Sequence, residues 1–105
     1  MKAEIEKRSV IKVIEDVTPA SVLGELENLP TVQDDRTASI VLNSLATPNG
    51  ILGFRRLSRD RWFVTALCFA PEVEPISSEL TTVQVWTLVD VFFTDEDWIQ
   101  LLRSH

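Results

Sequence analysis

The side chains best suited to nucleophilic catalysis are scarce in this sequence. His105 is the single histidine and occupies the final position, where chain ends tend to fray. Cys68 is the single cysteine and lies in an apolar segment, with no second histidine that could activate its thiol. We expect Cys68 to be a small buried thiol. The sequence therefore predicts a non-catalytic protein.

Metal ions and cofactors also lack suitable ligands. One cysteine and one histidine do not supply the ligands of a zinc site. The run Asp95, Glu96 and Asp97 lacks the spaced ligands and central glycine of a calcium-binding loop, and we interpret it as favourable charge at the start of a helix. The three glycines do not form a phosphate-binding loop. We expect no cofactor.

A cluster of basic residues stands out in the middle of the chain. It consists of Arg55, Arg56, Arg59 and Arg61, followed by Trp62, and such a set could hold phosphates and stack on a base. The formal net charge is −6, however, divided as −3 over residues 1–36, +3 over 37–71 and −6 over 72–105. That field repels a polyanion, so nucleic acid is a disfavoured partner. We interpret the arginines as partners of the acidic C-terminal segment, within one molecule or across a dimer.

Large apolar side chains in the C-terminal third suggest a binding surface. If residues 79–93 form one strand, Val83, Val85, Val89, Val91 and Phe93 point into the core. Trp86, Leu88 and Phe92 then point the opposite way and form an exposed patch unless a helix covers them. Tryptophan and phenylalanine are common in interfaces, and Asp95, Glu96 and Asp97 would attract a basic partner. This pattern predicts that the chain binds another protein or forms a homodimer.

The first third of the chain reads as a strand followed by a short helix. Residues 9–16 are rich in β-branched side chains, which suit a strand. Thr18 and Pro19 supply an N-cap and a favoured first helical position, and Pro30 ends the helix predicted over 19–28. Residues 31–36 are polar and predict a loop.

The rest of the chain reads as a strand meander closed by a helix. Strands are predicted over 37–46, 51–59 and 62–69, with a turn at 47–50, and residues 70–78 form a connection or an edge. The long strand over 79–93 follows. Thr94 then caps a final helix, whose apolar stripe is Trp98, Leu101 and Leu102.

These elements define one α+β domain of 105 residues. Its mainly antiparallel sheet has about five strands and two short helices, in the order β-α-β-β-β-β-α. A single cysteine and a charged N-terminal segment favour the cytoplasm, and no apolar run is long enough to cross a membrane.

The sequence thus predicts a protein–protein interaction module, such as an adaptor, inhibitor, immunity factor or assembly factor. One alternative is a role connected with nucleic acid, by direct contact through the Arg55 to Trp62 hairpin or by acidic mimicry of nucleic-acid charge. Another is a pocket for a small apolar ligand between sheet and helix, near Asp90.

Overall fold

The chain begins with a β-hairpin, and the strand predicted over residues 9–16 is its second strand. In the computed structural model, which describes residues 1–44, 50–68, 74–94 and 98–103, β1 (Lys2–Lys7) pairs antiparallel with β2 (Val10–Ile14). The turn residues Arg8 and Ser9 have positive φ angles of 51° and 65°. Their backbone N–H groups donate to Asp35 Oδ2 (2.6 Å) and Thr37 Oγ1 (2.9 Å), which fixes this left-handed turn against a distant loop.

The first helix confirms the local sequence signals. Helix α1 spans Pro19–Glu27, and Thr18 caps it in a reciprocal capping box with Ser21. The helix buries Val22 and Leu26 in the hydrophobic core. The helix therefore begins at Pro19, as the threonine cap and the proline predict.

The central meander is also confirmed. Its strands are β3 (Ser39–Ser44), β4 (Gly50–Ser58) and β5 (Arg61–Cys68), followed by the edge strand β6 (Ile76–Thr81). All neighbouring strands pair antiparallel, in the order β2-β1-β3-β4-β5-β6. The sheet therefore has six strands, one more than predicted, because the alternation of Ala3 and Ile5 with charged residues in β1 was missed. The predicted turn at 47–50 falls largely outside the described residues.

The predicted strand over 79–93 is wrong. Its first residues belong to β6, and helix α2 spans Thr82–Phe93. Thr81 caps α2 in a capping box with Gln84, whose side chain accepts from the Thr81 N–H (2.8 Å). The buried residues Val85, Leu88, Val89 and Phe92 follow helical spacing. The chain thus turns directly from the edge strand into a helix that covers the core.

A third helix completes the layer. Helix α3 spans Trp98–Arg103 and buries Trp98 and Leu102, as its stripe predicted. The Trp98 ring meets that of Phe92 edge to face, with centroids 5.0 Å apart. Thr94, which was expected to cap this helix, instead ends α2, and its N–H donates to Asp90 O. None of the described helices is both long and apolar enough to cross a bilayer.

The core lies on one face of the sheet. Inward side chains of the strands pack with all three helices in one cluster, which includes Ile5, Ile40, Phe54, Trp62 and Val64. Helix α2 contacts both α1 and α3, and α2 and α3 contact the β5–β6 side of the sheet. The side chains that alternate with these point away from the helices. The molecule is therefore a two-layer α+β domain, and no described helix covers the second face of its sheet.

Candidate functional site

The structure separates the predicted basic cluster into different environments. Arg55, Arg59 and Arg61 are exposed, whereas Trp62 on β5 is only 1% exposed. The Trp62 indole N–H donates to Thr82 Oγ1 (3.0 Å) at the start of α2. The alternative in which Trp62 stacks on a base is therefore wrong, because the ring is part of the core.

Arg56 is engaged within the fold. Its Nη2 donates to Arg59 O (2.9 Å) and its Nη1 to Leu29 O (3.3 Å) and Glu27 O (3.4 Å), while Nε donates to Ser58 O (3.3 Å). The guanidinium also lies over the Trp62 ring, 5.1 Å from its centroid. Arg56 thus pairs with backbone carbonyls at the end of α1 and in the β4–β5 turn, rather than with the acidic C-terminal segment as we expected.

The predicted patch of Trp86, Leu88 and Phe92 does not exist as a surface. Leu88 and Phe92 are fully buried in the core, while Trp86 is 38% exposed on another side of the helix. The error follows from the strand assignment, since a helix places these residues on different faces. Asp95, Glu96, Asp97 and His105 lie outside the described residues, and Asp90 is exposed on α2.

An apolar sheet surface is nevertheless present, on the face opposite the helices. We call this surface the open face. Strand register places in it, from β2 to β5, the side chains of Ile11, Val13, Glu4, Glu6, Ser39, Val41, Ile51, Gly53, Arg55, Phe63, Thr65 and Leu67. Ile11 is 60% exposed, and Phe63 and Leu67 are 36% and 39% exposed. When one face of an antiparallel sheet is exposed to water, the residues on that face are normally polar, so these apolar side chains are unusual.

A depression marks the centre of the open face. It has a volume of about 200 Å³ and is lined by Val41, Gly53, Arg55, Phe63 and Thr65, together with Ser39. Gly53 lies at its floor. A Cβ atom at this position would lie only 2.9 Å from Thr65 Oγ1, so a larger residue would crowd the depression. The glycine therefore leaves a hollow between larger neighbours in the middle of the sheet.

A second, shallower depression adjoins the first. Its volume is about 60 Å³, and it is lined by Glu4, Glu6 and Ile11 together with Ser39 and Val41, which line both depressions. Glu4 and Glu6 pair in register with Val41 and Ser39. The two depressions thus adjoin one another across β2 to β5, and we call the pair the trough.

Charged side chains flank this trough on both sides. Glu4 and Glu6 lie on β1, while Arg55 lies on β4, Arg61 on β5 and Glu79 on β6, where its register with Phe63 places it on the same face. Within the described part of the chain none of these five side chains forms an ion pair, although Arg55 Nη1 donates to Arg36 O (3.5 Å). The central strands carry small and apolar residues between the two charged sides.

Two carboxylates have lowered pKa values, and both support turns. Backbone and side-chain hydrogen bonds from Arg8 and Thr37 hold the pKa of Asp35 below its ordinary value. Hydrogen bonds from Thr82 lower the pKa of Asp60 in the same way, at the start of α2. Both groups therefore stabilise the connections that hold β1–β2 and α2 in place.

The described residues offer little for a metal ion. Within the described ranges no three His, Cys, Asp or Glu side chains converge on one point. The Cys68 side chain lies outside what the structure describes, although the Cys68 backbone ends β5. The distinctive chemistry of the described surface is thus the amphipathic trough of the open face.

These features define the class of domain as a six-stranded antiparallel sheet with three helices on one face and an amphipathic open face. Comparison of the chain with protein-family models, with curated proteins and with solved structures found no match.

Proposed function

We propose that this chain is a non-catalytic protein-interaction domain that binds its partner through the open face. The observation that carries the proposal is the trough across β2 to β5, with its glycine floor, exposed apolar side chains and charged sides. Burying apolar area drives association, while unpaired charges at the margin set orientation and partner choice.

The chemistry of the trough specifies the kind of partner. The partner is a folded surface that places an apolar projection over Gly53 and Val41. It carries a basic group toward Glu4 and Glu6 and an acidic group toward Arg55. Phe63 provides an aromatic contact at the rim, a residue type enriched in interface cores.

The basic hairpin supports the nucleic-acid alternative less well. Of its five predicted contact residues, Arg56 is bound to backbone carbonyls and Trp62 is buried. Arg55, Arg59 and Arg61 remain exposed, and strand register places the exposed carboxylate of Glu79 next to Phe63, on the same face as Arg55 and Arg61. The pocket for a small apolar ligand near Asp90 stays a prediction.

Site-specific photo-crosslinking tests the proposal. A benzophenone amino acid replaces Thr65 on the open face, and a matched control replaces Thr87, which is exposed on α2. In the native cells we expect a discrete adduct from position 65 and none from position 87. The adduct at 65 is expected to disappear when Arg55→Glu is added.

Two results would contradict the proposal. If neither position gives an adduct, the open face is not a binding surface. If positions 65 and 87 react equally, or if Arg55→Glu leaves the adduct at 65 unchanged, contact is not directed by the trough.

A further inference from the structure

We infer that the free edge of β2 is a second binding site, which takes up an extended strand of another protein. The edge is distinct from the trough, so this site goes beyond the proposed function. β2 lies at one end of the described sheet and pairs with β1 on its inner side. Unpaired N–H and C=O groups on such an edge are a template for a further strand.

The register with β1 shows which backbone groups of β2 point outward. Lys7 and Val10 flank a two-residue turn and pair with each other, and such a turn closes with a hydrogen bond between its first C=O and its fourth N–H. Hydrogen-bonded and non-hydrogen-bonded pairs alternate along an antiparallel ladder, so Ile11 and Val13 belong to the second kind. Their N–H and C=O groups therefore point away from β1 and offer two donors and two acceptors to an added strand.

Little shields this edge from an added strand. Native edge strands are usually protected by prolines, bulges or charged side chains. β2 has the sequence Val-Ile-Lys-Val-Ile and an unbroken register with β1, and Val10 and Val13 are 69% and 48% exposed. The charged residue of β2, Lys12, alternates with Ile11 and Val13, and its Nζ lies 3.7 Å from Glu25 Oε1 on the helix side. The edge beside Ile11 and Val13 therefore stays accessible.

The side chains along the edge specify an apolar occupant. An antiparallel strand added here places two of its side chains directly beside Ile11 and Val13, where β-branched residues pack well. Glu6 and Glu4 lie one strand further in, as the register partners of Ile11 and Val13, and disfavour a carboxylate at those two positions. The occupant is therefore apolar at both.

Charges at the two ends of β2 orient the occupant. Lys7 and Arg8 precede the strand, whereas Glu15 and Asp16 follow it. An antiparallel occupant therefore carries a basic residue at its N-terminal end and an acidic residue at its C-terminal end. Its central residue faces Lys12, which is already ion-paired, and is uncharged.

A second copy of this chain is a poorer occupant. An antiparallel pair of β2 strands that brings Arg8 of one copy to Asp16 of the other sets Lys12 against Lys12. It also brings together two chains that each carry a net charge of −6. A segment of a different protein meets the same backbone groups without either cost.

Fluorescence anisotropy with a labelled peptide tests this inference on the full chain. The peptide Lys-Thr-Val-Thr-Val-Thr-Glu has the stated pattern, and we expect saturable binding with a Kd of about 10 to about 500 µM. Two methylated versions form a matched pair. N-methylation of its third residue removes a donor that faces β2, whereas N-methylation of its fourth residue removes one that points to solvent. We expect the first to weaken binding at least about tenfold and the second by less than about threefold.

A pair of variants at Val13 tests the same contact from the side of the protein. Val13→Pro removes an outward N–H, and proline is tolerated on edge strands where that group faces solvent. The matched control Val13→Thr keeps the N–H group and the β-branched shape. We expect peptide binding to fall at least about tenfold for Val13→Pro and less than about threefold for Val13→Thr, with circular dichroism unchanged for both.

Several results would overturn the edge as a binding site for an extended strand. These are equal binding of the two methylated peptides, no saturable binding up to about 1 mM, and unchanged binding by a folded Val13→Pro variant. If Val13→Pro does not fold, the methylated peptides decide alone. A dimer that the peptide dissociates would identify a second copy as the occupant and so overturn the assignment to another protein.

Failure at the edge is distinguishable from failure of the proposed function. Arg55→Glu, which is expected to remove the crosslink at position 65, should leave peptide binding unchanged, because Arg55 lies on β4 and the edge is β2. Loss of peptide binding in Arg55→Glu would place the peptide in the trough and overturn the edge site.

Discussion

Two adjacent arginines are expected to respond to mutation in opposite ways. Arg56 joins the end of α1 to the β4–β5 turn, whereas Arg55 projects from the open face. We predict that Arg56→Ala lowers the free energy of unfolding by about 2–3 kcal/mol. Arg55→Ala is expected to change it by less than about 0.5 kcal/mol, as is usual at surface positions.

The magnitude for Arg56 follows from its contacts. The bond to Leu29 O is partly buried, and hydrogen bonds to charged groups contribute about 1.5–3 kcal/mol. The bonds to Glu27, Ser58 and Arg59 are exposed, so water replaces them at little cost. The contact with the Trp62 ring adds about 0.5–1 kcal/mol. An ammonium group cannot reach both sets of carbonyls, so Arg56→Lys is expected to recover about half of the loss.

Urea unfolding followed by far-ultraviolet circular dichroism measures these differences. All variants are compared at the same concentration of about 1 µM, so that any contribution of self-association to stability is the same for each. Values for Arg56→Ala and Arg55→Ala within about 0.5 kcal/mol of each other would refute the reasoning, since the bridging contacts would then contribute nothing beyond those of a surface side chain.

Three further predictions test the fold. Leu88→Ala is expected to cost about 3 kcal/mol, whereas Val83→Ala costs less than about 0.5 kcal/mol, and similar losses in urea unfolding would contradict the helical assignment of α2. Gly50→Ala is expected to cost about 1–3 kcal/mol in the same assay, because its Cβ would lie 2.9 Å from both the Trp98 ring and a backbone carbonyl, and a neutral result would show that α3 packs elsewhere. Asp35→Asn is expected to lower the melting temperature at pH 7. The folded pKa of Asp35 is lowered, so its stabilisation is present above about pH 4 and is lost as pH falls through the folded pKa, and the two proteins should converge in acid.

Local signals in the sequence predicted much of the fold. The cap and proline at Thr18 and Pro19 located α1, and the alternation of apolar residues located β3 to β5. These signals suffice because they act between residues near in sequence. The fold class was therefore correct even though the numbers of strands and helices were not.

The main error arose where two periodicities overlap. Residues 83–93 alternate like a strand, yet Val85, Leu88, Val89 and Phe92 also recur as on a helix. The capping box of Thr81 and Gln84 could have resolved the ambiguity, as could the 15-residue length of the supposed strand. Tertiary packing overrides the β propensity of the valines here.

The open face could not be predicted from the sequence. The apolar sheet face that the sequence indicated rested on residues 79–93, which are mostly helix, and membership of a face depends on the type of each element and its register. Which face of the sheet the helices leave uncovered depends on packing across the whole domain. The burial of Trp62 beside exposed Arg61 shows the same limit, since neighbours along a strand lie in opposite environments.

The strand order also shapes how the domain is assembled during synthesis. Four of the five strand pairings in the described sheet join consecutive strands, whereas β1 pairs with β3 across α1. The first 37 residues and the remainder are thus two locally connected pieces. In the sheet they join through the β1–β3 ladder, where Ala3 meets Leu42 and Ile5 meets Ile40, and outside it α1 contacts α2 and Arg56 bonds to the end of α1. During synthesis, the apolar side chains of the N-terminal piece stay exposed to water until β3 has left the ribosome. If the chain is divided between α1 and β3, we expect the two fragments to reassemble by pairing β1 with β3.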